Sequence, residues 1–437
     1  METSDPSRTT LTLSLDQAPP IFVPLRFFLT APLFGILAAL TLLWGGPAAW
    51  GTRWSAVVLA STHLMTLGLL TMVMLGALMQ MLPVLAGAPV PRARQVSGSL
   101  HLLLTTGTLL LAAGLLFTRG DLIRLALPLL AGAFGLFFYM MSLCLWRARA
   151  RGPTVSGMRL ATVALAITVF LGAVLGLERG WGLRIAGPYL TDLHAAWGLL
   201  GWLGLLVVGV AYQVIPMFQM TPEFPRRLTR RLGSGLFATL AIWSLSIFFA
   251  EYTSLPAFMP PLLATLPVLG YTLFAMFVLS LQRRRRRRLP DVTVLFWRVA
   301  VLSIIAAAGW WFIGPLWFPV YSNQEALLWG VLIIVGFGVS VINGMLYKIV
   351  PFLVWLHLQN GIGRGRLTNM KEIIPDGRAR RQWWLHCAGL CLLIGTVWRP
   401  SWFACTSALI FGLSCLLLWL NLLVAYRMYR RLIATGP

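Results

Sequence analysis

The sequence predicts an all-α polytopic membrane protein with twelve transmembrane helices, and both its composition and the length of its apolar runs point to this fold class. Hydrophobic residues make up 58% of the 437 residues and charged residues 11%, and the mean hydropathy is +0.81. Soluble domains carry about 45–50% apolar and about 25% charged residues, so this chain has too little polar surface to enclose a core of its own. The balance excludes a soluble enzyme, a disordered scaffold and a disulfide-stapled secreted domain.

Twelve apolar runs approach or exceed the length of about 20 residues that a helix needs to cross the hydrocarbon core of a bilayer. They lie near residues 24–46, 54–84, 99–118, 121–146, 157–178, 188–217, 232–251, 257–281, 292–314, 324–356, 382–398 and 401–426.

The basic residues predict the orientation of these spans. The net charge is +23, and arginine is concentrated in every second connection, including the unbroken run at 283–288. Because positively charged loops stay in the cytoplasm during insertion, we expect both termini on the cytoplasmic side. This placement favours anionic lipid headgroups, rather than nucleic acid, as partners of the arginine loops. Only Lys348 and Lys371 are lysines, which is typical of a GC-rich bacterial genome and indicates a bacterial inner membrane.

One motif recurs in three of the long spans and divides the chain into thirds. It reads G-x7-G-x3-[QK]-x2-P, at Gly68, Gly76, Gln80 and Pro83, at Gly201, Gly209, Gln213 and Pro216, and at Gly336, Gly344, Lys348 and Pro351. The prolines are 133 and 135 residues apart. This spacing predicts three four-helix repeats with pseudo-threefold symmetry, at 21–151, 152–288 and 289–426, between cytoplasmic tails at 1–20 and 427–437.

The motif also predicts the role of its residues. Two glycines eight residues apart lie on nearly one helix face, which admits either a closely packed backbone or a bulky flat ligand. Proline lacks the N–H that continues a helix, so we expect the three helices to end there, at the cytoplasmic edge.

The stretch HAAWGLLGW from His194 to Trp202, followed by GVAYQVIP ending at Pro216, resembles a helix of haem-copper oxidase subunit I. It is most similar to that of the C-type oxidases and their nitric oxide reductase relatives, whose twelve helices form three arcs of four. The chain also resembles, more loosely, the NnrS family of haem- and copper-containing membrane proteins, without the tryptophan–histidine signature of that family's early helices. The resemblance implies b-type haem or copper, a role in respiratory or nitric oxide metabolism, and a redox or assembly partner.

The histidines depart from the oxidase pattern. The chain has five, at His63, His101, His194, His357 and His386, whereas the family needs six to hold two haems and a copper ion. The seventh span, SGLFATLAIWSLSIFFA, has no histidine, although the family places copper ligands there. We therefore expect neither a complete oxidase nor a complete nitric oxide reductase, and the sequence does not decide whether the protein is an enzyme.

His63 and His194 are the candidate haem ligands. Both lie in apolar helix on the outer half of the membrane, where an ionisable side chain is costly and usually functional. His63 precedes Pro83 by 20 residues and His194 precedes Pro216 by 22, so they lie on opposite flanks of equivalent helices. The two rings either converge on the cleft between the helices, where they would clamp a haem iron, or point away and bond to separate neighbours.

Methionines supply the candidate copper ligands. Met65 and Met72 lie seven residues apart in the span that carries His63, and a thioether is a soft ligand suited to Cu(I). His63, His194, Met65 and Met72 are therefore the candidate metal ligands. Methionines at helical spacing are also common as flexible core packing, which is the alternative for Met65 and Met72.

Two other functions remain open on the same scaffold. One is a membrane transporter or permease, with copper among its candidate substrates, which the shortage of conventional ligands favours. Against it, no span is interrupted at mid-membrane, as many transporters require. The other is a structural subunit whose histidines only pack. On the eleventh span a zinc or copper site from Cys387, Cys391 and a histidine is the alternative to core thiols and an interfacial His386. We expect the latter, because the adjacent residues His386 and Cys387 point about 100° apart.

Overall fold

The computed structural model describes residues 19–147, 152–183, 187, 189–253, 255–287, 289–316, 323–362 and 369–434. Almost all of the predicted N-terminal tail lies outside these residues, as do Arg149, Arg151, Arg184, Arg288, Arg364 and Arg366 of the connections. The described part of the chain is 89% helix and contains no β-strand. It is therefore all-α, as the composition predicts.

We number the helices in chain order and count each through its internal irregularities. They are α1 (Phe22–Gly45), α2 (Ala56–Ala86), α3 (Ala93–Leu116), α4 (Gly120–Arg147), α5 (Pro153–Trp181), α6 (Tyr189–Gln219), α7 (Arg226–Tyr252), α8 (Met259–Arg283), α9 (Val292–Ile313), α10 (Asn323–Ile362), α11 (Asp376–Trp398) and α12 (Pro400–Ala434).

Eleven of these helices are long and apolar enough to cross a membrane, which is consistent with a polytopic membrane protein. The exception is α11, because Arg378, Arg380 and Arg381 occupy its first turns and shorten its apolar stretch. A twelfth transmembrane span therefore stays a prediction.

The three motif helices share an irregularity that the motif itself does not predict. Each contains a π-helical segment, at Leu64–Thr71 in α2, Trp197–Gly204 in α6 and Val331–Val339 in α10. The segments begin 19, 19 and 20 residues before the motif prolines, so all three lie at nearly the same register. Such segments widen a helix locally and occur frequently at functional sites.

The six motif glycines pack against neighbouring helices. Gly68 and Gly76 meet Phe34 and Phe27 of α1, Gly201 and Gly209 meet Ala164 and Gly157 of α5, and Gly336 and Gly344 meet Ser303 and Phe296 of α9. A Cβ atom added at any of the six would lie within 3.0 Å of that neighbour, closer than van der Waals contact permits. Of the two uses that the sequence left open, the glycine face therefore serves close helix packing.

The prediction that the motif prolines end their helices is wrong. The α-helix continues past Pro83, Pro216 and Pro351, to Ala86, Gln219 and Ile362 respectively. A proline removes only its own hydrogen bond, and neighbouring groups and local adjustments compensate for that loss in tightly packed membrane helices.

Several basic residues on the arginine-rich side of the bundle have partners within the protein, Arg285 and Lys348 among them. The Arg285 side chain donates from Nε to the backbone carbonyl of Gln219 at 3.0 Å, and burial lowers the pKa of this guanidinium. Lys348 lies 3.4 Å from the carboxylate of Asp291. Contact between the other arginines and lipid headgroups stays a prediction.

Candidate cofactor site

A cavity of about 1530 Å³ lies between α2, α6 and α10, at the end of the bundle opposite the arginine-rich connections. All three π-helical segments contribute to its wall, through residues such as Leu70, Trp202 and Val335. Its lining is mainly leucine, tryptophan and other apolar residues. Binding sites for small molecules usually have volumes of about 300–1,000 Å³, so this cavity has room for a large, mostly apolar group.

His63 and His194 both line this cavity. His63 directly precedes the π-helical segment of α2, and His194 lies three residues before that of α6. Their ring centroids are 6.3 Å apart and their ring planes differ by 19°. Of the two arrangements that the sequence left open, the structure has the one in which the two imidazoles come together.

The backbone orients both imidazoles. Nδ1 of His63 lies 2.8 Å from the carbonyl oxygen of Leu59, and Nδ1 of His194 lies 3.0 Å from that of Thr168. A carbonyl only accepts hydrogen bonds, so each Nδ1 carries the proton and each Nε2 keeps its lone pair. Metal-binding histidines are usually fixed in this way, with one nitrogen donating to a protein oxygen and the other on the metal.

The distance between the ring centroids can be compared with that of two imidazoles bound to one metal ion. A metal–imidazole bond is roughly 2.0–2.1 Å long and the ring centroid lies about 1.2 Å behind the nitrogen, which places the two centroids about 6.4 Å apart across a metal. The 6.3 Å separation fits this value. Within the described residues, neither Nε2 has a hydrogen-bond partner in the protein.

The two candidate methionines behave differently. Met65 is buried and lines the cavity, whereas Met72 is fully buried but is not part of the cavity wall. In the part of the chain that the structure describes, no group of three His, Cys, Asp or Glu side chains is placed to hold a metal ion. The arrangement at this site is thus two histidines with one nearby thioether.

The other three histidines lie away from the cavity wall. His101 hydrogen-bonds to the Thr30 hydroxyl at 2.9 Å, and His386 to the Ser340 hydroxyl at 2.7 Å. His357 contacts the carbonyl oxygen of Leu353, four residues earlier in its own helix, at 2.9 Å.

Charged residues at the outer end of the cavity were not predicted as site residues. Arg53 and Asp192 form an ion pair of 2.5 Å, and the Arg53 guanidinium lies 4.6 Å from the ring centroid of Trp54. The pair joins the segment before α2 to α6, and these two helices carry His63 and His194. Arg179 also lines this end of the cavity. The only signal in the sequence was that Asp192 stands two residues before His194.

No protein-family model matches the chain, and no curated protein matches it. The geometry of the cavity and the motif residues are therefore what supports a function.

Proposed function

We propose that this protein is a haem-copper-oxidase-like membrane protein that binds one b-type haem between His63 and His194 and has no complete oxygen-reducing centre. The observation that carries the proposal is the pair of nearly parallel imidazoles, 6.3 Å apart, in a large apolar cavity. Haem supplies one-electron redox chemistry when bound. The chain would hold the haem with His63 and His194, the carbonyls that orient these histidines and a mainly apolar cavity wall.

The size of the cavity favours haem over copper. Two histidines on opposite sides also suit a linear Cu(I) ion, but a single ion does not account for a cavity of about 1530 Å³. A copper site that used both candidate methionines would need Met72, which lies outside the cavity wall.

The ligand set also limits what the haem does. With His63 and His194 both bound to the iron, the protein would leave no position there for oxygen or nitric oxide. This favours electron relay to a partner in respiratory or nitric oxide metabolism over catalysis at the iron.

We further propose that the bundle is three four-helix units around a pseudo-threefold axis, in a bacterial inner membrane with both termini in the cytoplasm. The register of the three π-helical segments supports the repeat. So do the motif glycines, which in every case pack on the first helix of their own unit. The arginine-rich connections support the orientation.

The absorption spectrum of protein purified from cells supplied with haem, with a pyridine haemochrome assay and copper quantitation on the same sample, tests the proposal. We expect a Soret band, about one b-type haem per chain and little copper. A colourless protein, or a stoichiometric amount of copper without haem, would contradict it.

The ion pair at the outer end of the cavity is expected to tune the haem potential. A nearby cation stabilises the reduced haem and a nearby anion the oxidised haem, so Arg53→Gln should lower the midpoint potential and Asp192→Asn should raise it. For a partly exposed charge the shifts should be on the order of tens of millivolts. Spectroelectrochemical titration measures these shifts.

Arg119→Gln is the matched control, because Arg119 pairs with Asp121 outside the cavity wall. Shifts of the same sign in Arg53→Gln and Asp192→Asn would count against this placement of the haem.

Gly172 of α5 is expected to position His194. A Cβ atom built on Gly172 would lie 2.8 Å from Cε1 of His194, so Gly172→Ala should displace the ring. We expect haem affinity to fall about 10- to 100-fold, as for other groups that orient a metal ligand, measured by haem titration of the apoprotein. Gly135→Ala is the control, because a Cβ there meets no atom within 4 Å. Equal affinities in the two variants would be inconsistent with the proposed role of His194.

A further inference from the structure

A second polar region lies inside the bundle, between α9, α10, α11 and α12 and apart from the cavity. Its polar side chains, all buried, are Ser340, Asn343 and Tyr347 of α10, Gln382 and His386 of α11, and Ser414 and Asn421 of α12. A buried polar group in a membrane protein is costly unless it is hydrogen-bonded, so each of them needs a partner.

Direct hydrogen bonds satisfy part of this set. The Ser340 hydroxyl and His386 Nε2 are 2.7 Å apart. Gln382 donates from Nε2 to the Ser414 hydroxyl at 2.9 Å, and Asn421 donates from Nδ2 to the Tyr347 hydroxyl at 2.9 Å. These bonds hold α10, α11 and α12 together around the region.

Three atoms of the set have no partner within the described residues. They are His386 Nδ1, Asn343 Oδ1 and Gln382 Oε1, on side chains that are at most 2% exposed. Leaving a buried polar atom unsatisfied costs about 1–3 kcal/mol. Three such atoms in one region therefore indicate a bound group that satisfies them.

Helix geometry places the three side chains at one level of the bundle. Helices α10 and α11 are antiparallel, and the Ser340–His386 contact fixes their register. Asn343 follows Ser340 by one turn and Gln382 precedes His386 by one turn, so both lie about 4.5–6 Å to the same side of that contact. Phe296 of α9 packs at this level, with its ring centroid 5.5 Å from that of His386.

We propose that these three atoms share one space and that a water molecule occupies it. One water molecule donates to Asn343 Oδ1 and Gln382 Oε1 and accepts from His386 Nδ1–H, which matches the three or so hydrogen bonds that buried waters usually make. The same assignment makes His386 Nε2 the acceptor of the Ser340 hydroxyl proton. The site is separate from the proposed haem site and does not depend on it.

Radiolytic hydroxyl labelling of the wild-type protein in water enriched in oxygen-18 tests the proposal, because radicals formed from a trapped water label the side chains beside it. Phe296 should be labelled although it is fully buried. Phe137 is the matched control, since it is equally buried but its ring packs on Phe138 and Trp202. We expect several-fold more label on Phe296 than on Phe137; equal labelling of the two would overturn the proposal.

A double-mutant cycle provides the second measurement. Asn343 and Gln382 share no direct hydrogen bond, so a common water is what would couple them. Asn343→Ala and Gln382→Ala should each lower the thermal unfolding midpoint, and the double variant should lose less than the two single losses combined. Additive losses, or a rise in the midpoint for Asn343→Leu, would show that the space is dry.

Discussion

Replacing His63 or His194 by alanine is expected to abolish the low-spin haem spectrum of this protein. Each variant leaves the iron with a single protein ligand, so the bound haem should become high-spin and its affinity should fall. Loss of a group that only orients a metal ligand costs about 10- to 100-fold, and loss of the ligand itself should cost more than about 100-fold. Haem titration followed by absorption spectroscopy measures both effects.

The chain offers a close control for this experiment. His357 makes the same contact as His63, from Nδ1 to the carbonyl oxygen four residues earlier, but is not part of the cavity wall. His357→Ala should keep the wild-type spectrum, and added imidazole should restore a low-spin spectrum to His63→Ala. An unchanged spectrum in either cavity variant would rule out ligation by that histidine.

Gly209→Ala is expected to destabilise the protein strongly. A Cβ atom at Gly209 would lie 2.8 Å from the Cα atom of Gly157, and because this neighbour is backbone, α5 and α6 must move apart. Overpacking usually costs about 1–3 kcal/mol, and Gly209→Val should cost more. The thermal unfolding midpoint in detergent, followed by tryptophan fluorescence, measures the loss.

Gly235→Ala on α7 is the matched control, because a Cβ atom there meets nothing within 4 Å. Alanine also favours helix by up to about 1 kcal/mol relative to glycine, so this variant should be as stable as the wild type or more stable. If Gly209→Ala unfolded at the same temperature as Gly235→Ala, close packing of α5 on α6 would not be what holds these two helices together.

The sequence predicts the all-α membrane class well, because the apolar composition and the length of the apolar runs depend on burial in lipid alone. It also identifies a glycine face at residues such as Gly209. It does not show whether that face packs against a helix or binds a ligand, because both need the absence of a side chain. The helix ends at Pro83 and Pro216 could not be predicted from proline chemistry alone, because neighbouring helices compensate for the lost hydrogen bond.

The site is harder to predict than the fold. The spacing places His63 and His194 on opposite flanks of their helices, but whether two rings converge depends on local geometry, and here a π-helical segment follows each of them. The Arg53–Asp192 pair depends on the path of the connection before α2, for which the sequence carries no periodic signal. The motif therefore leads to the helices that line the cavity, and the three-dimensional structure is needed to see that the imidazoles meet.

Electron paramagnetic resonance of the oxidised, haem-loaded protein tests the central claim most directly. With both rings bound to the iron, imidazole planes that differ by only 19° would interact with the same iron d orbital and separate it in energy from the d orbital perpendicular to it. We therefore predict a rhombic low-spin ferric signal. A high-spin signal from the wild-type protein, or a low-spin signal that persists when both His63 and His194 are alanine, would contradict haem ligation by this pair.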